Sequence, residues 1–506
     1  MSWLNFLKRF WAIGRIGARL LLERGVSREV RLRFFFERAG GAFLKLGQIL
    51  SLRHDLISPR YANELLNLLS RVAVSPDAAM RQVFIEELGL SPELAFKTFD
   101  PVPIASASIS QVYRAVLIDG AKVVVKIQRP GVRQVFELDF TLARFISGLL
   151  SFLRVFDSFQ VQDVVEEFIL WSRRELNFRE ELLNSQALGH FSESEPRTII
   201  PRVYPEWSTA RVLVSEDMVD VLSVEVVLEG LAHTPAEREE LAYYFVFDIM
   251  RQYFIDGFFH ADPHPANLFF TRDNRLGYFD FGLMGEVGTV RLDLLRIMEG
   301  MARRDLAFAS KHFLYFGQAL VSDKIDRFKE REPATYKRYA KVIGKVGEIM
   351  VDNLQADLEE ILAPWYELRT VASEGPPTSS LVCSRLLLKL SDYQIHLPRE
   401  IALFFRTLII ADIVAVRLAP DFDIIRALNN FFTAYPITVA EKLIREKTQA
   451  MEPEEVVDPT AHFSFEQLLE LKEVEKEELG LAKEKLVNLI AAYAEDYEEI
   501  RQLLKA

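Results

Sequence analysis

The segment from His260 to Gly282 constrains this chain more than any other part of its sequence. It carries Asp262 and Asn267, then two short β-rich runs separated by polar turn residues, then Asp280. Turn-forming residues between two such runs predict a hairpin. A hairpin at this place returns the chain on itself, so we expect Asp262, Asn267 and Asp280 to lie close together.

The order and spacing of these three residues suit phosphoryl transfer. That reaction needs a carboxylate beside the nucleophile and hard oxygen ligands that hold Mg²⁺ against the nucleotide phosphates. Protein kinases place a catalytic Asp, a metal-binding Asn five positions later, and a second metal-binding Asp in an Asp-Phe-Gly triplet beyond a hairpin. Asp262, Asn267 and Asp280 repeat this order. We therefore predict a catalytic role for Asp262 and a site for Mg²⁺ and ATP at Asn267 and Asp280.

Two other interpretations of this segment remain open. His260, Asp262 and His264 are residue types that bind zinc, and their short spacing allows one site. The same residues can instead serve only as caps and turns. The order of the motifs and the predicted hairpin favour the phosphate and magnesium site.

A second hairpin is predicted upstream, where two β-rich runs within residues 110–128 flank Asp119 and Gly120. Its second run contains Lys126, in the position where kinases carry the lysine that contacts the α- and β-phosphates. An ordinary exposed strand lysine is the alternative. No Gly-x-Gly pair precedes this hairpin. Small side chains that still allow close approach to phosphates stand there instead: Ala105, Ser106, Ala107 and Ser108.

From about residue 38 to 425 the sequence resembles the UbiB family of atypical kinases, also called aarF-domain-containing kinases. The loop of Ala and Ser is similar to the nucleotide loop of that family, and residues 260–267 are similar to its catalytic loop. Lys45–Gln48 resembles the family's Lys-x-Gly-Gln signature, which lies on an added helical extension. Residues 175–184 resemble its Glu-x-Asp segment and the helix that follows.

The resemblance implies further roles within the nucleotide site. Lys126 is expected to pair with Glu181, and Glu216 and Met218 are expected to bind adenine through their backbone. One residue departs from the family pattern: Asn177 stands where the family usually has Asp, which removes a charge.

The resemblance also implies a regulatory group. Lys45 and Gln48 are expected to project into the groove where a kinase receives a protein substrate, and Lys45 is expected to pair with Glu175. The extension would then occlude that groove. Solvated helix residues and a surface ion pair are the alternatives.

The predicted fold is α+β, a bilobal protein-kinase-like fold that is mostly helical. We expect a helical extension over residues 1–100 and a small lobe with an antiparallel sheet over 101–218. A helical large lobe is expected over 219–440, and an acidic helical tail over 441–506. The tail from residue 451 holds 15 acidic and six basic residues.

Charge and composition limit the partners. The net charge of −12 argues against a nucleic-acid partner, because phosphate contacts need a basic surface. Residues 3–21 predict an amphipathic helix with Trp11 on its apolar side and a basic stripe opposite, which suits an anionic membrane; docking on its own domain is the alternative. The lone Cys383 fits a reducing compartment. We expect a cytoplasmic protein that contacts the inner face of the cell membrane.

The leading functional hypothesis is an ATP-dependent phosphotransferase or ATPase. The resemblance implies support of isoprenoid-quinone biosynthesis, with a small-molecule or lipid-associated acceptor. A true Ser/Thr protein kinase and a non-catalytic nucleotide-sensing scaffold are the alternatives. A protein kinase would need an open peptide groove, and the extension that bears Lys45 argues against it.

Overall fold

The computed structural model describes residues 3–23, 25–50, 59–65, 68, 74–152, 158–230, 232–288, 290–314, 333–366, 378–392 and 399–451. The chain divides into two compact units. The first comprises Met1–Ala242, His260–Gly285 and Arg417–Ala419, and the second comprises Tyr243–Phe259, Glu286–Val416 and Pro420–Ala506. The domain limits predicted at residues 100, 218 and 440 stay a prediction, and most of the expected acidic tail, residues 452–506, lies outside the described residues.

Helices make up most of the first unit. Ser27 caps one of them by accepting a hydrogen bond from the Val30 backbone N–H, and Gly89 ends another in the left-handed conformation, at φ 74°. The helices are α1 (Trp3–Leu22), α2 (Arg28–Ala39), α3 (Gly41–Leu50), α4 (Pro59–Leu65), α5 (Asp77–Leu88), α6 (Pro92–Ala95), α7 (Val132–Phe152), α8 (Ser158–Glu175), α9 (Phe178–Ser192) and α10 (Val224–Leu228).

The first unit also contains a five-stranded antiparallel sheet. Its strands are β1 (Thr98–Phe99), β2 (Ala105–Ser106), β3 (Ser110–Val116), β4 (Lys122–Gln128) and β6 (Val212–Glu216). The order is β1-β3-β4-β6, and β2 also pairs with β3. The predicted hairpin is confirmed as β3 and β4, and Gly120 in its turn has φ 95°. The helices α7 and α8 are inserted between β4 and α9.

The two faces of this sheet differ in burial. Side chains alternate between the faces of a strand, so one set of residues points towards α5. That set forms one core with Met80, Val83 and Phe84 of α5, and its sheet members are Tyr113, Ala115, Val123, Val125, Ile127, Val212 and Val214. Burying each large apolar side chain contributes about 1.5–3 kcal/mol. The opposite face, which carries Val112, Arg114, Val124 and Lys126, is only partly covered.

A second sheet of three short strands supports the segment with the predicted metal ligands. In it, β5 (Thr198–Ile199) runs parallel to β9 (Leu276–Tyr278), and β8 (Leu268–Phe270) pairs with β9 as the predicted hairpin. A Cβ atom at Gly277 would lie 2.0 Å from the Phe269 ring, so only glycine fits opposite that ring.

The helix α1 is docked on its own unit. Phe6 and Phe10 each pack edge-on against Phe145 of α7, with ring centroids 6.1 and 6.0 Å apart, and Ile13 is buried in the same core. The placement of Trp11 on the apolar side is wrong, since its side chain is 66% exposed. The side chains of Trp3 and Leu21 lie outside the described residues.

The second unit is helical. The helix α11 (Pro235–Met250) begins in the first unit and continues into a π-helix, Arg251–Asp256. The strands β7 (Phe258–His260) and β10 (Met284–Glu286) each contain residues of both units. The remaining helices are α12 (Arg291–Arg303), α13 (Pro333–Tyr366), α14 (Thr378–Asp392), α15 (Arg399–Leu418), α16 (Ile424–Ala434) and α17 (Ile437–Met451), and residues 306–314 are also helical.

Buried ion pairs hold the π-helix in the second unit. Arg251 is 2% exposed, and its guanidinium contacts Asp248 at 2.8 Å and also Asp256. Lys447 of α17 lies 2.7 Å from Asp256. Of the helices that the structure describes, none is both long and apolar enough to cross a membrane.

Candidate active site

Lys126 is the centre of a group of charged side chains in the first unit. Its Nζ atom lies 2.8 Å from both carboxylate oxygens of Glu181 and 3.3 Å from Oδ2 of Asp280. Lys126 comes from β4, Glu181 from the first turns of α9, and Asp280 follows β9. Three separate elements thus converge on one ammonium group, whose side chain is 16% exposed.

Lys126 attracts both carboxylates of this group, and the two carboxylates repel each other. Burial alone would lower the pKa of Lys126, but the carboxylates of Asp280 and Glu181 outweigh burial and raise it. Burial raises the pKa of Glu181 to about 7, against the opposing attraction of Lys126. The Asp280 side chain keeps 47% of its surface exposed, yet burial still acts against its charge, and Lys126 and Lys45 together hold its pKa well below the ordinary range.

His260 holds the backbone at Asp262. Its Nε2 atom donates to the Phe279 carbonyl at 3.1 Å, and its Nδ1 atom accepts from the Asp262 N–H at 3.2 Å. Burial lowers the pKa of His260, which fits a neutral ring with its proton on Nε2. Both ring nitrogens therefore face backbone partners, which disfavours the zinc interpretation.

Asn267 joins the loop of Asp262 to the segment that carries Asp280. Its Nδ2 atom donates to the Asp262 carbonyl at 3.1 Å, and its own carbonyl accepts from the Phe279 N–H at 2.7 Å. His264 begins the short 3₁₀ turn Pro265–Asn267 by accepting from the Ala266 N–H at 3.2 Å. These bonds set the separation between Asp262 and the backbone just before Asp280.

Asp280 has an uncommon backbone conformation, with φ at 54°. Few residues other than glycine adopt this region, and such strain is concentrated at functional sites. Its Oδ1 atom accepts from the Gly282 N–H at 3.2 Å. The Phe281 carbonyl accepts from Nδ2 of Asn184 at 2.8 Å, so α9 holds both Glu181 and the residue after Asp280.

Lys45 of α3 lies at the edge of the same group. Its Nζ atom is 3.0 Å from the Glu175 carboxylate. Burial lowers the pKa of Lys45, but the carboxylates of Glu175, Asp262 and Asp280 outweigh burial, so the pKa is raised overall. The carboxylates of Asp262 and Asp280 are therefore both near enough to act on one ammonium group. The side chain of Gln48 lies outside the described residues.

The loop of small residues forms a tight turn between β2 and β3. Ala105 is paired with Val112 and Ser106 with Gln111, and the Ala107 N–H donates to the Ser110 carbonyl at 2.9 Å. Ser108 lies within that turn. Because Val112 pairs in turn with Lys126, the loop begins one strand away from the lysine.

Glu216 and Met218 lie at the far end of β6 from the charged group. Glu216 pairs with Val123 across the sheet, is exposed, and donates its N–H to the Arg202 carbonyl at 2.8 Å. Met218 follows in an irregular segment and is partly buried. The Asn177 side-chain oxygen is buried without a hydrogen-bond partner among the described residues.

Two functional candidates were not identified from the sequence as contributors to the site. Asn184 lies three residues after Glu181, which places both on one side of a helix, and this spacing was the available signal. Arg129, three residues after Lys126, contacts the small-residue loop directly. No local pattern distinguishes it from a solvated arginine.

The donor set fits magnesium with a nucleotide. Mg²⁺ is usually held by one or two carboxylates together with substrate phosphates. Asp280 offers a carboxylate and Asn267 an amide oxygen. Within the described ranges no cluster of three or more His, Cys, Asp or Glu is placed to hold a metal by itself.

Comparison with known proteins shows what this chain is similar to. Residues 67–313 match the ABC1 atypical kinase-like domain. The protein ACTIVITY OF BC1 COMPLEX KINASE 3, chloroplastic, of Arabidopsis thaliana is 28% identical over 84% of this chain and 56% of that protein. The kinase 7 protein of the same name and organism is 36% identical over 53% of this chain and 38% of that protein.

A bacterial relative aligns over more of its own length. The probable protein kinase UbiB of Xylella fastidiosa strain M12 is 28% identical over 83% of this chain and 71% of that protein. This chain spans 56% and 38% of the two Arabidopsis relatives. The chain has a kinase-like α+β fold, its residues 67–313 match the ABC1 atypical kinase-like domain, and the resemblance to UbiB proteins is confirmed.

Proposed function

We propose that this chain binds ATP with Mg²⁺ and catalyses phosphoryl transfer, either to water or to a small-molecule or lipid-associated acceptor. The observation that carries the proposal is the contact of Lys126 with both Glu181 and Asp280. Such an arrangement joins a phosphate-orienting lysine to a metal-binding carboxylate within one unit.

Each side chain has a role in this proposal. Lys126 orients the α- and β-phosphates, and Glu181 holds its ammonium in place. Asp262 accepts or orients the proton of the attacking hydroxyl, while the neutral His260 keeps its backbone fixed. Asn267 and Asp280 supply oxygen ligands for the metal. When it is bound, Mg²⁺ would neutralise the negative charge of the phosphates.

The nucleoside is proposed to bind on the partly covered face of the five-stranded sheet. Val112 and Val124 lie on that face beside Lys126, and Ser215 is paired with Val124. A flat base can pack on these small side chains while its phosphates reach Lys126. The backbone of Glu216 and Met218 is proposed to bind adenine, and residues 105–108 to cover the phosphates.

The acceptor and pathway are proposed from the relatives. The name UbiB belongs to the Xylella protein, and the family resemblance implies isoprenoid-quinone biosynthesis or lipid handling at a membrane. A lipid-associated acceptor also fits α1, whose basic residues Lys8, Arg15 and Arg19 are exposed. We propose a cytoplasmic location with peripheral contact to the inner face of the cell membrane.

The test is ATP hydrolysis with Mg²⁺, with and without liposomes, in wild type and in Asp280→Asn. We expect kcat to fall by about 10²–10³-fold, the usual range for removing one group that stabilises the transition state. Asp273→Asn is the matched control, since Asp273 is an exposed turn residue on the same hairpin. Equal turnover in wild type and Asp280→Asn would refute the assigned centre.

A nucleotide-sensing scaffold is the second candidate, and the position of Lys45 favours it over a protein kinase. The Lys45 ammonium is near enough to Asp262 and Asp280 for their charges to raise its pKa, and it lies on the extension that is expected to occlude the groove of a protein substrate. Tight binding of ATP without turnover under all conditions would support the scaffold. Efficient phosphorylation of a protein in trans would instead support a protein kinase.

A further inference from the structure

Arg129, the residue directly after β4, makes hydrogen bonds to the loop of small residues. Its Nε atom donates to the Ala107 carbonyl at 2.9 Å, and its Nη2 atom donates to the Ser106 hydroxyl at 2.6 Å. Its backbone N–H donates to the Ile109 carbonyl at 2.8 Å. One residue therefore contacts two successive residues of the loop, Ser106 and Ala107, and also Ile109 just after it.

The same guanidinium also connects the loop to the segment before α5. Its Nη1 atom donates to the Ser75 hydroxyl at 2.7 Å. The Ser75 backbone N–H donates to the Gln111 side-chain oxygen, and Gln111 Nε2 donates to the Tyr113 hydroxyl at 2.7 Å. Gln111 and Tyr113 are buried. The chain of bonds therefore ends in the core under the sheet.

This connection matters because the loop has no glycine. Alanine and serine have a narrower range of backbone conformations than glycine, so such a loop cannot adjust itself freely around a phosphate. Its position must be set before the ligand arrives. A planar guanidinium with donors in fixed directions can do this, whereas the single ammonium of lysine cannot reach three acceptors in the same way.

We infer that Arg129 is a positioning residue that holds the 105–108 loop, through Ser106, Ala107 and Ser75, in the conformation that receives nucleotide phosphates. The inference rests on the proposed ATP site. Arg129 acts through the loop, since its three side-chain nitrogens already donate to the loop and to Ser75. Arg129 therefore affects the affinity for the phosphates of the nucleotide and does not change the affinity for the nucleoside.

The experiment compares Arg129→Lys, Arg129→Gln and Ser75→Ala with wild type. The dissociation constants of ATP with Mg²⁺ and of adenosine are measured, together with amide hydrogen exchange of residues 105–109 in nucleotide-free protein. For both Arg129 variants we expect about tenfold weaker ATP binding, the order expected from losing hydrogen bonds with a charged donor. KM should rise more than kcat falls, adenosine binding should be unchanged, and exchange should be faster.

Ser75→Ala separates positioning from direct phosphate contact. It removes an anchor of the guanidinium on the side away from the loop, so a smaller loss of ATP affinity in the same direction supports the inference. Arg133→Gln is the control, an exposed arginine four residues further on, and should behave as wild type.

Several outcomes would overturn the inference. Wild-type ATP affinity in Arg129→Lys would show that only a positive charge is needed. Wild-type behaviour of Ser75→Ala in both measurements would show that the anchor is irrelevant. If wild type binds no nucleotide, the proposed function fails, and exchange in the nucleotide-free protein still decides the positioning role: unchanged exchange in Arg129→Gln contradicts it. If Arg129→Gln does not fold, Ser75→Ala and Ser106→Ala decide by the same measurements.

Discussion

The Nζ atom of Lys126 lies 2.8 Å from both carboxylate oxygens of Glu181, although 55 residues separate them in the sequence. Glu181 is only 6% exposed, so its charge is costly unless the lysine remains beside it. Burial raises the pKa of Glu181 to about 7, and Asp280 adds to this increase by repulsion.

The raised pKa of Glu181 predicts a pH-dependent stability. Between the unfolded value near 4.5 and the folded value of about 7, the folded state binds the extra proton. The free energy of unfolding contributed by this group therefore falls as pH rises through that window, by up to about 3 kcal/mol. Urea unfolding at pH 5, 6, 7 and 8 should show this slope in wild type and a weaker one in Glu181→Gln.

Glu180→Gln is the control for that experiment, since Glu180 is the exposed neighbour on α9. Its pH slope should match that of wild type. A slope in Glu181→Gln equal to that of wild type would mean that Glu181 does not titrate in this range.

Asn184 is predicted to hold the backbone after Asp280. Asn184→Ala removes the 2.8 Å bond to the Phe281 carbonyl and leaves that carbonyl without this donor. We expect kcat/KM for ATP hydrolysis to fall by about tenfold, since losing a partly buried hydrogen bond costs on the order of 1–2 kcal/mol. Gln186→Ala, an exposed change on the same helix, should leave kcat/KM unchanged. Equal values in both variants would remove Asn184 from the site.

Arg9 is predicted to anchor α1. Its guanidinium donates to both carboxylate oxygens of Asp139, at 2.7 and 2.9 Å, and Asp139 is 1% exposed. Arg9→Ala removes the charged partner of that buried carboxylate and leaves it the Ala42 N–H, at 3.0 Å, as a donor, so the free energy of unfolding should fall by about 3 kcal/mol at pH 7.

The pH dependence checks the cause of this loss. Burial raises the pKa of Asp139, and Arg9 partly counteracts the increase. Without Arg9 the carboxyl should protonate at a higher pH, so the deficit measured by urea unfolding should be smaller at pH 4 than at pH 7. Arg15→Ala, at an exposed position of α1, should cost little at either pH. A pH-independent deficit would point to lost packing instead.

Membrane contact through α1 is predicted to use its exposed side. Trp11 is exposed between the basic residues Lys8 and Arg15, whereas Phe6 and Phe10 pack against the core of the first unit. Trp11→Ala should lower co-sedimentation with vesicles that contain phosphatidylglycerol. The expected decrease is about several-fold, because one aromatic side chain is no longer buried in the membrane interface. Leu94→Ala changes another exposed apolar residue and is the control. Binding of Trp11→Ala equal to wild type would exclude this side of α1.

Local patterns predicted much of the fold. The two hairpins followed from turn residues between β-rich runs, because a hairpin joins neighbouring segments and its register depends on the turn. The amphipathic pattern predicted α1, but periodicity could not tell which side would be covered. Trp11 was assigned to the wrong side because the packing surface comes from Phe145 of α7, far along the chain.

The sequence by itself determined the types and order of the chemical groups: Asp262, Asn267 and Asp280 at kinase spacing, with Lys126 upstream. Only the tertiary structure decided contacts that no motif indicated: Arg9 with Asp139, and Arg129 with the loop of Ser106. Spacing within one segment is set by local backbone geometry. Contacts between distant segments depend on how helices and strands pack, which a local pattern does not contain.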